Sequence, residues 1–432
     1  MDLNNVEFTW IKNKPMNWEI HRVKNHFVLT KNKTDSPEGY PILSLTMRGI
    51  IERDISSNEG QLPETYNGYN LLEKDDIVFN PMDLISGWVD CSPHEGLISP
   101  SYKVIRPTSS EVDIKFYTYY FQTHYKEKIF FPFGEGVHYE YRWGLGTETL
   151  KNFPIVVPPL SEQKQIVSFL DSKTSLIDFL IEKTQRKIEL LKEKRTSLIN
   201  EVITKGLNPN VEMKDSGVEW IGEIPRGWGI KKLKYISDVR PSNVDKHIYE
   251  DEIQVNLCNY TDVYYNETIN SNSNLKKGSC NENEYEKFKL EKGDVIITKD
   301  SETPDDIGIP VYVEETLENV VCGYHLTMIK PISVIGKFIF RFIECDRTRR
   351  YFELSSNGVT RFGLGKSSIE NLVLPIPSET EQKQIVEYLD KQTQKIDKTI
   401  SIEEKRIELL KEYRQSLISE VVTGKLKVTT DE

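Results

Sequence analysis

Two stretches of the chain carry apolar residues at alternating steps of four and three, the period of a helix that buries one stripe against a partner. The first stripe reads Leu170, Thr174, Ile177, Ile181, Thr184, Ile188, Leu191, Arg195, Leu198, Val202. The second reads Leu389, Thr393, Ile396, Ile400, Glu403, Ile407, Leu410, Arg414, Leu417, Val421. Seven of ten positions are apolar in each, enough for a sustained seam. Pro158-Pro159 and Ser161 precede the first helix, with Glu162 in its first turn, and Pro377 with the capping box Ser378-Glu-Thr-Glu381 precedes the second. Glycine closes both, at Lys205-Gly206 and Gly424-Lys425. Elsewhere the pattern is short and mixed. Ile77–Phe79, Val295–Thr298 and Gly308–Val313 read as strands, Ile114–Tyr125 and Ile335–Phe352 as helices, and the polar run Asn266–Asn274 as a loop.

The helical stretches are copies of one another. Glu162-Gln-Lys-Gln-Ile-Val167 recurs as Glu381-Gln-Lys-Gln-Ile-Val386, Ile188-Glu-Leu-Leu-Lys-Glu193 as Ile407-Glu-Leu-Leu-Lys-Glu412, and Gly144-Leu-Gly146 as Gly363-Leu-Gly365, all offset by 219 positions. Fainter matches link Asp75-Asp-Ile-Val with Gly293-Asp-Val-Ile, and Pro15-x-x-Trp18-x-Ile20 with Pro225-x-x-Trp228-x-Ile230. The chain is therefore a tandem duplication. It divides into a globular part at 1–157, a helix at 158–207, a second globular part at 208–376, and a second helix with its tail at 377–432.

The predicted fold class is α+β: two pseudo-symmetric heads of mixed α and β structure joined by a long antiparallel two-helix coiled coil. A continuous helix from Glu162 to Lys205 would span roughly 66 Å. The second head would begin at its far end, and the second helix would run back along the first. On that arrangement Thr174 lies level with Arg414, Arg195 with Thr393, and Thr184 with Glu403. These polar positions either fix register and orientation or lie along a solvated edge.

Composition narrows the class. The 432 residues are 38% hydrophobic and 28% charged, as in ordinary globular domains. No apolar run reaches the ~18 residues of a membrane span. The first residues, Met-Asp-Leu-Asn-Asn-Val-Glu, have neither the basic nor the apolar region of a secretory signal. Five scattered cysteines suit a reducing cytoplasm and exclude a disulfide framework or a Cys-x-x-Cys zinc site. The net charge of −11 argues mildly against a polyanionic partner. Residues 1–157 carry 16 basic and 21 acidic groups, 158–207 carry 9 and 7, 208–376 carry 21 and 27, and 377–432 carry 10 and 12. No segment is strongly basic.

Several motifs together resemble the type I restriction–modification specificity subunits. They are Pro158-Pro-Leu-Ser-Glu-Gln-Lys-Gln-Ile-Val167, Pro375-Ile-Pro-Ser-Glu-Thr-Glu-Gln-Lys-Gln-Ile-Val386, and Gly217-Val-Glu-Trp-Ile-Gly-Glu-Ile-Pro-x-Gly-Trp228 followed by Lys231-Lys-Leu. Asp76-Ile-Val-Phe-Asn-Pro-Met82, Gly96-Leu-Ile-Ser-Pro-Ser-Tyr102 and Ser356-Asn-Gly-Val-Thr-Arg361 join them. The resemblance covers nearly the whole chain. It implies two target-recognition domains, each reading half of a bipartite sequence in double-stranded DNA, with helices that set the spacer. It also implies docking of two methyltransferase subunits, through which restriction subunits join. The chain itself would be non-catalytic, with S-adenosylmethionine and ATP on the partners and no cofactor of its own.

The residues agree with a reader rather than an enzyme. Asn80-Pro-Met-Asp83 lacks the second proline and the aromatic of an adenine methyltransferase motif. Gly363-Leu-Gly-Lys-Ser-Ser368 resembles the end of a phosphate loop, but Thr360 stands where that loop needs glycine. No Gly-x-Ser-x-Gly is present. His21 and His26 miss the one-turn spacing of a helical metal pair, and no metal site is expected. Candidate DNA contacts are Asn80, Ser99, Tyr102, Tyr141 and Arg142 in the first head, and Lys299, Arg349, Arg350, Thr360 and Arg361 in the second. Asn80 and Lys299 follow matched strands, and Arg142 and Arg361 lie in matched glycine-rich loops. The alternative function is a cytoplasmic coiled-coil scaffold with two protein-binding heads, which the acidic charge favours.

Overall fold

The computed structural model describes residues 10–12, 14–34, 37–54, 63, 65–136 and 143–428. Two single helices run through Leu160–Lys205 and Glu379–Val422. The first begins one residue before Ser161, directly after Pro159, whose carbonyl accepts from the Glu162 and Gln163 amides. The second is capped by Ser378, whose hydroxyl accepts from Glu381 N at 3.3 Å. Gly206 and Gly424 follow the helices with the same φ of 76°, the left-handed turn that glycine enters without strain.

The chain divides into two units, residues 1–184 with 405–432, and residues 185–404. Each unit holds one mixed α and β domain, the start of one long helix and the end of the other. The long helices pack together within both units and run antiparallel. In the first unit Arg414 holds Asp178 at 2.9 and 3.2 Å. In the second unit Lys187 holds Glu403 at 2.6 Å and Arg195 holds Asp397 at 3.0 Å, so numbering rises on one helix as it falls on the other. Arg195–Asp397 and Asp178–Arg414 are the same pair under the 219-residue repeat.

Leu170, Ile177, Ile188, Leu389, Ile396, Ile400, Ile407 and Leu417 are buried, and Ile181, Leu191, Leu198 and Leu410 are half-buried. The polar seam residues Thr174, Thr184, Thr393 and Glu403 are buried too, so they do not lie along a solvated edge. The threonines satisfy their hydroxyls on their own helices, Thr184 on Leu180 O at 2.7 Å. The seam arginines reach carboxylates rather than the threonines opposite.

The duplication runs deeper in the fold than in the sequence. The first domain has a four-stranded antiparallel sheet in the order Phe27–Thr30, Lys103–Pro107, Ile77–Phe79, Val89–Cys91. The second repeats it as Ser237–Pro241, Leu326–Pro331, Val295–Thr298, Pro310–Val313, and adds Thr268–Ile269 in parallel at the edge. That added strand lies within the polar run Asn266–Asn274. Registers match: Ile77 faces Ile105, and Val295 faces Ile329. Asp75 takes a φ of 71° where its counterpart Gly293 takes 98°, which explains why aspartate and glycine interchange in that motif. The next aspartate is buried in both. Asp76 accepts Arg106 Nε and Nη2 at 2.7 and 2.8 Å, and Asp294 accepts Lys330 Nζ at 3.0 Å.

Each domain is fastened to the long helix that follows it. Gln163 and Gln382 are buried and bond the backbone where a domain helix begins, at Asp113 N (2.7 Å) and Ile335 N (3.1 Å). Asp171 then takes Lys115 Nζ at 2.8 Å and the Tyr119 hydroxyl at 2.9 Å; Asp390 takes Lys337 Nζ at 2.7 Å and Arg341 Nη2 at 3.0 Å. The first of these domain helices is Ile114–Lys126. The second differs from the expected Ile335–Phe352: it breaks at Cys345 into Gly336–Glu344 and Asp346–Ser355. Cys345 is extended, the Phe342 carbonyl accepts both Cys345 N at 3.3 Å and the Thr348 hydroxyl at 2.7 Å, and Asn200 fixes the restart by accepting Asp346 N at 2.9 Å.

Candidate nucleic-acid interface

In both units a glycine-rich turn folds onto the end of a buried central strand. Leu145 N donates to Pro81 O at 2.8 Å, and Leu364 N donates to Lys299 O at 2.8 Å. Glycine is required at the first closure, because a Cβ on Gly144 would lie 2.5 Å from Pro81 O. Pro81 and Lys299 are therefore equivalent, and the sequence candidate Asn80 lies one residue earlier at the same sheet end, level with Thr298.

In the first unit the pairing of Phe79 with Lys103 sets Asn80 beside Tyr102. Asn80 is half-buried; its carbonyl accepts the Tyr125 hydroxyl at 2.6 Å and its side-chain oxygen accepts Met82 N at 3.1 Å. Ser99 starts the turn to Tyr102, accepting Tyr102 N on its carbonyl and Ser101 N on its hydroxyl. The Tyr102 ring packs on the small core of Leu43, Ile50, Leu72, Val78, Ile98 and Val104, and burial raises its hydroxyl pKa. Lys103, which sequence reasoning passed over, donates to Leu145 O, and burial lowers its pKa. Tyr141 and Arg142 lie outside the described residues.

In the second unit Lys299 and Arg361 meet around Tyr324 and His325. Lys299 Nζ donates to Ser242 O at 2.9 Å and lies 5.0 Å from the centre of the Tyr324 ring. Arg361 Nη2 is 3.2 Å from His325 Nδ1, which is 2.6 Å from Asp300 Oδ2. The strand pair of Asp300 with Gly363 and Ser301 with Phe362 holds this corner together. Thr360 is exposed at the tip of the loop, beside Val359. Gly358 is required there, since a Cβ would lie 1.9 Å from Arg361 O.

Arg349 and Arg350 are exposed on the helix Asp346–Ser355, which packs on the turn Pro304–Asp306, and Arg350 pairs with Glu353 at 3.1 Å. Arg347, in the same basic run, instead donates to Ile221 O and serves the domain interior. Tyr324 and His325 carry no motif in the sequence, and His325 has no histidine partner at metal-ligand spacing. They lie in the turn that joins Val320–Cys322 to Leu326–Pro331, strands of two different sheets, and His325 adopts a φ of 71° there.

His21 and His26 stack with ring centres 4.9 Å apart and their nitrogens 2.6 Å apart, and burial lowers the pKa of His26. Among the described residues no group of three or more His, Cys, Asp or Glu could hold a metal ion, and no helix is long and apolar enough to cross a membrane.

Comparison with known proteins bears on these corners. The family model for the type I restriction modification DNA specificity domain matches twice, over residues 17–192 and 225–412. A Methanocaldococcus jannaschii protein that carries the name of the MjaX type I restriction enzyme specificity subunit is 24% identical, covering 99% of this chain and 97% of its own. The MjaVIII specificity subunit of the same organism is 25% identical over 64% of this chain and 63% of its own. Two solved structures share the fold. One chain, from a study of complex assembly and conformational transition of the type I restriction–modification system, has a TM-score of 0.71 at 15% identity, covering 96% of this chain and 99% of its own. The HsdS subunit from Thermoanaerobacter tengcongensis has a TM-score of 0.56 at 14% identity, covering 96% and 98%.

Proposed function

The chain belongs to the type I restriction–modification DNA specificity family, as the non-catalytic specificity subunit, and from that premise we propose that each unit reads one half of a bipartite target in double-stranded DNA. The observation that carries this reading is the repeated corner with changed side chains. The same closure, Leu145 on Pro81 and Leu364 on Lys299, presents Asn80 and Tyr102 in one unit and Lys299 and Arg361 in the other. One frame with two sets of polar groups suits two different half-sites.

Asn80, Ser99, Tyr102, Tyr141 and Arg142 face one half-site, and Lys299, Arg349, Arg350, Thr360 and Arg361 the other. Lysine and arginine take phosphates and guanine edges; the amide and hydroxyl groups take base edges. The recognition domains are residues 1–157 and 208–376, and the helices 158–207 and 377–432 set the spacer between half-sites. Those helices also dock two methyltransferase subunits. Exposed apolar side chains on them, Leu176 and Leu190 on the first and Ile402 and Leu409 on the second, support that role. Restriction subunits join through the assembled complex, and S-adenosylmethionine and ATP bind those partners in the cytoplasm.

The test is co-expression with its methyltransferase followed by methylome sequencing. The expected result is a bipartite methylated-adenine motif with a fixed spacer. Removing one heptad from both long helices should shorten that spacer and keep both half-sites. A continuous motif, or half-sites that change while the spacer stays, would overturn the reading.

A further inference from the structure

The two units place the repeated arginine of a long helix in the same position but surround it differently. In residues 185–404, Arg195 gives all three guanidinium nitrogens to carboxylates: Nε to Asp397 at 3.0 Å, Nη1 to Glu344 at 2.6 Å, and Nη2 to Glu267. Its counterpart Arg414 gives Nε and Nη2 to Asp178. The paired docking contacts, Lys115 with Lys337 and Tyr119 with Arg341, align Gln122 with Glu344. Gln122 is neutral and donates to Val89 O at 3.3 Å and Asp90 Oδ1 at 3.2 Å. No carboxylate among the described residues stands on Arg414 as Glu344 stands on Arg195.

A cavity of about 250 Å³ lies there instead, with Arg48, Trp88, Asp90, Lys126, Arg414 and Gln415 in its wall. Lys126 Nζ lies 5.2 Å from the centre of the Trp88 ring. Desolvation, and then the neighbouring charge of Arg414, lower the Lys126 pKa against the opposing pull of Asp178. The one carboxylate in the wall, Asp90, is pushed towards its neutral form by burial. Gln415 has both amide atoms buried without a hydrogen-bond partner.

We propose that this cavity is a site for a small carboxylate anion from solution, which occupies in the first unit the place that Glu344 occupies in the second. A carboxylate fits because the matched arginine is built around carboxylates, and a guanidinium edge takes two carboxylate oxygens side by side. Lys126 and Arg48 supply the remaining charge from the open side. The inference does not depend on the DNA reading, since the cavity lies between the domain and a long helix within one unit.

The experiment is calorimetric titration of the full-length chain with sodium malonate, with sodium chloride at matched ionic strength and inorganic phosphate as comparisons. Malonate should bind with a dissociation constant of about 1 mM or tighter, and chloride should give no saturable heat. The double variant Arg48→Gln, Lys126→Met removes two charges at the open side of the cavity and keeps an apolar stem over Trp88, so its melting temperature in chloride should stay close to that of the wild type. It should bind malonate roughly tenfold more weakly, the loss expected from two partly exposed charge pairs. Equal malonate affinity in the variant, or no saturable heat in the wild type, overturns the site. Phosphate binding tighter than malonate overturns the carboxylate assignment.

Discussion

Asp390 and Asp171 occupy the same place in the two repeats, and replacing each with asparagine should give unequal results. Asp390 faces Lys337 and Arg341, and the Arg341 side chain is only 4% exposed. Asparagine at 390 leaves that guanidinium buried with Glu344 at 2.7 Å as its remaining close carboxylate and Glu267 farther off at 4.0 Å. Breaking a buried pair on one side costs about 3–5 kcal/mol, and the surviving Glu344 brings the expected loss to roughly 2–4 kcal/mol. Asp171 faces Lys115, whose side chain is 66% exposed and returns to water when released. Together with the Tyr119 hydrogen bond, which persists to an amide oxygen, its loss should stay below about 1 kcal/mol. For units of this size each kcal/mol moves the melting temperature by about 2–4 °C. Asp390→Asn should therefore lower it by roughly 4–16 °C, and Asp171→Asn by less than about 4 °C. Scanning calorimetry of the full chain measures the totals, and hydrogen exchange assigns them, with protection lost in Gly336–Glu344 for the first variant. Equal losses, or a larger loss at Asp171, would refute the argument from burial.

Three further outcomes follow from the same geometry. Alanine at Gly424 should destabilise more than alanine at Gly206: both sit at a φ of 76°, but the new Cβ would come 2.2 Å from Pro15 Cδ in the first case and 3.1 Å from Trp228 in the second. Calorimetry of the two variants checks the order, and the reverse order counts against it. His124 is buried and desolvation pushes its pKa down to about 3, so the neutral ring is favoured in the folded state. That contribution is intact above the ordinary value of 6.5 and is lost as pH falls from there towards 3, at about 1.4 kcal/mol per pH unit. Urea denaturation across that range should show the slope, and His124→Phe should reduce it; an unchanged slope in the variant would remove His124 as the cause. Arg361→Ala should weaken binding to the specific duplex and lower the salt dependence by about one phosphate contact. Unchanged affinity and salt slope would take Arg361 out of the interface.

The long helices were legible because a 3.5-residue period and an ungapped repeat survive in the side chains themselves. The fastening of each domain was not. Lys115 with Tyr119 and Lys337 with Arg341 do the same work with different chemistry and at a different offset from the helix repeat, so only the fold aligns them. The break at Cys345 was hidden because no glycine or proline marks it; contacts with Asn200 and Ile221 from distant segments hold the restarted helix in place. At the candidate interface, strand ends and glycine turns pointed to the right corners. They could not separate Tyr102, much of whose ring is committed to a core, from Thr360, which is exposed. Nor could they separate Arg347, which holds the domain together, from Arg349 two residues on.

That separation changes what the charge of −11 means. Several cations of this chain are engaged by its own carboxylates: Arg106 and Lys330 by buried aspartates, Arg195 and Arg341 by carboxylates of the long helices, and Lys115 and Lys337 in the fastening contacts. The cations left to face a phosphate backbone are fewer than composition suggests. Non-specific affinity for duplex DNA scales with the number of phosphates neutralised. On the proposed function, a chain with fewer free cations than its composition suggests would grip duplex DNA weakly by itself, and docked methyltransferase subunits would supply the rest of the grip. The expected outcome is weak binding of the specific duplex by the isolated chain and tight binding once the methyltransferase subunits are added, in a titration at fixed salt; strong, salt-insensitive binding by the chain alone would contradict it.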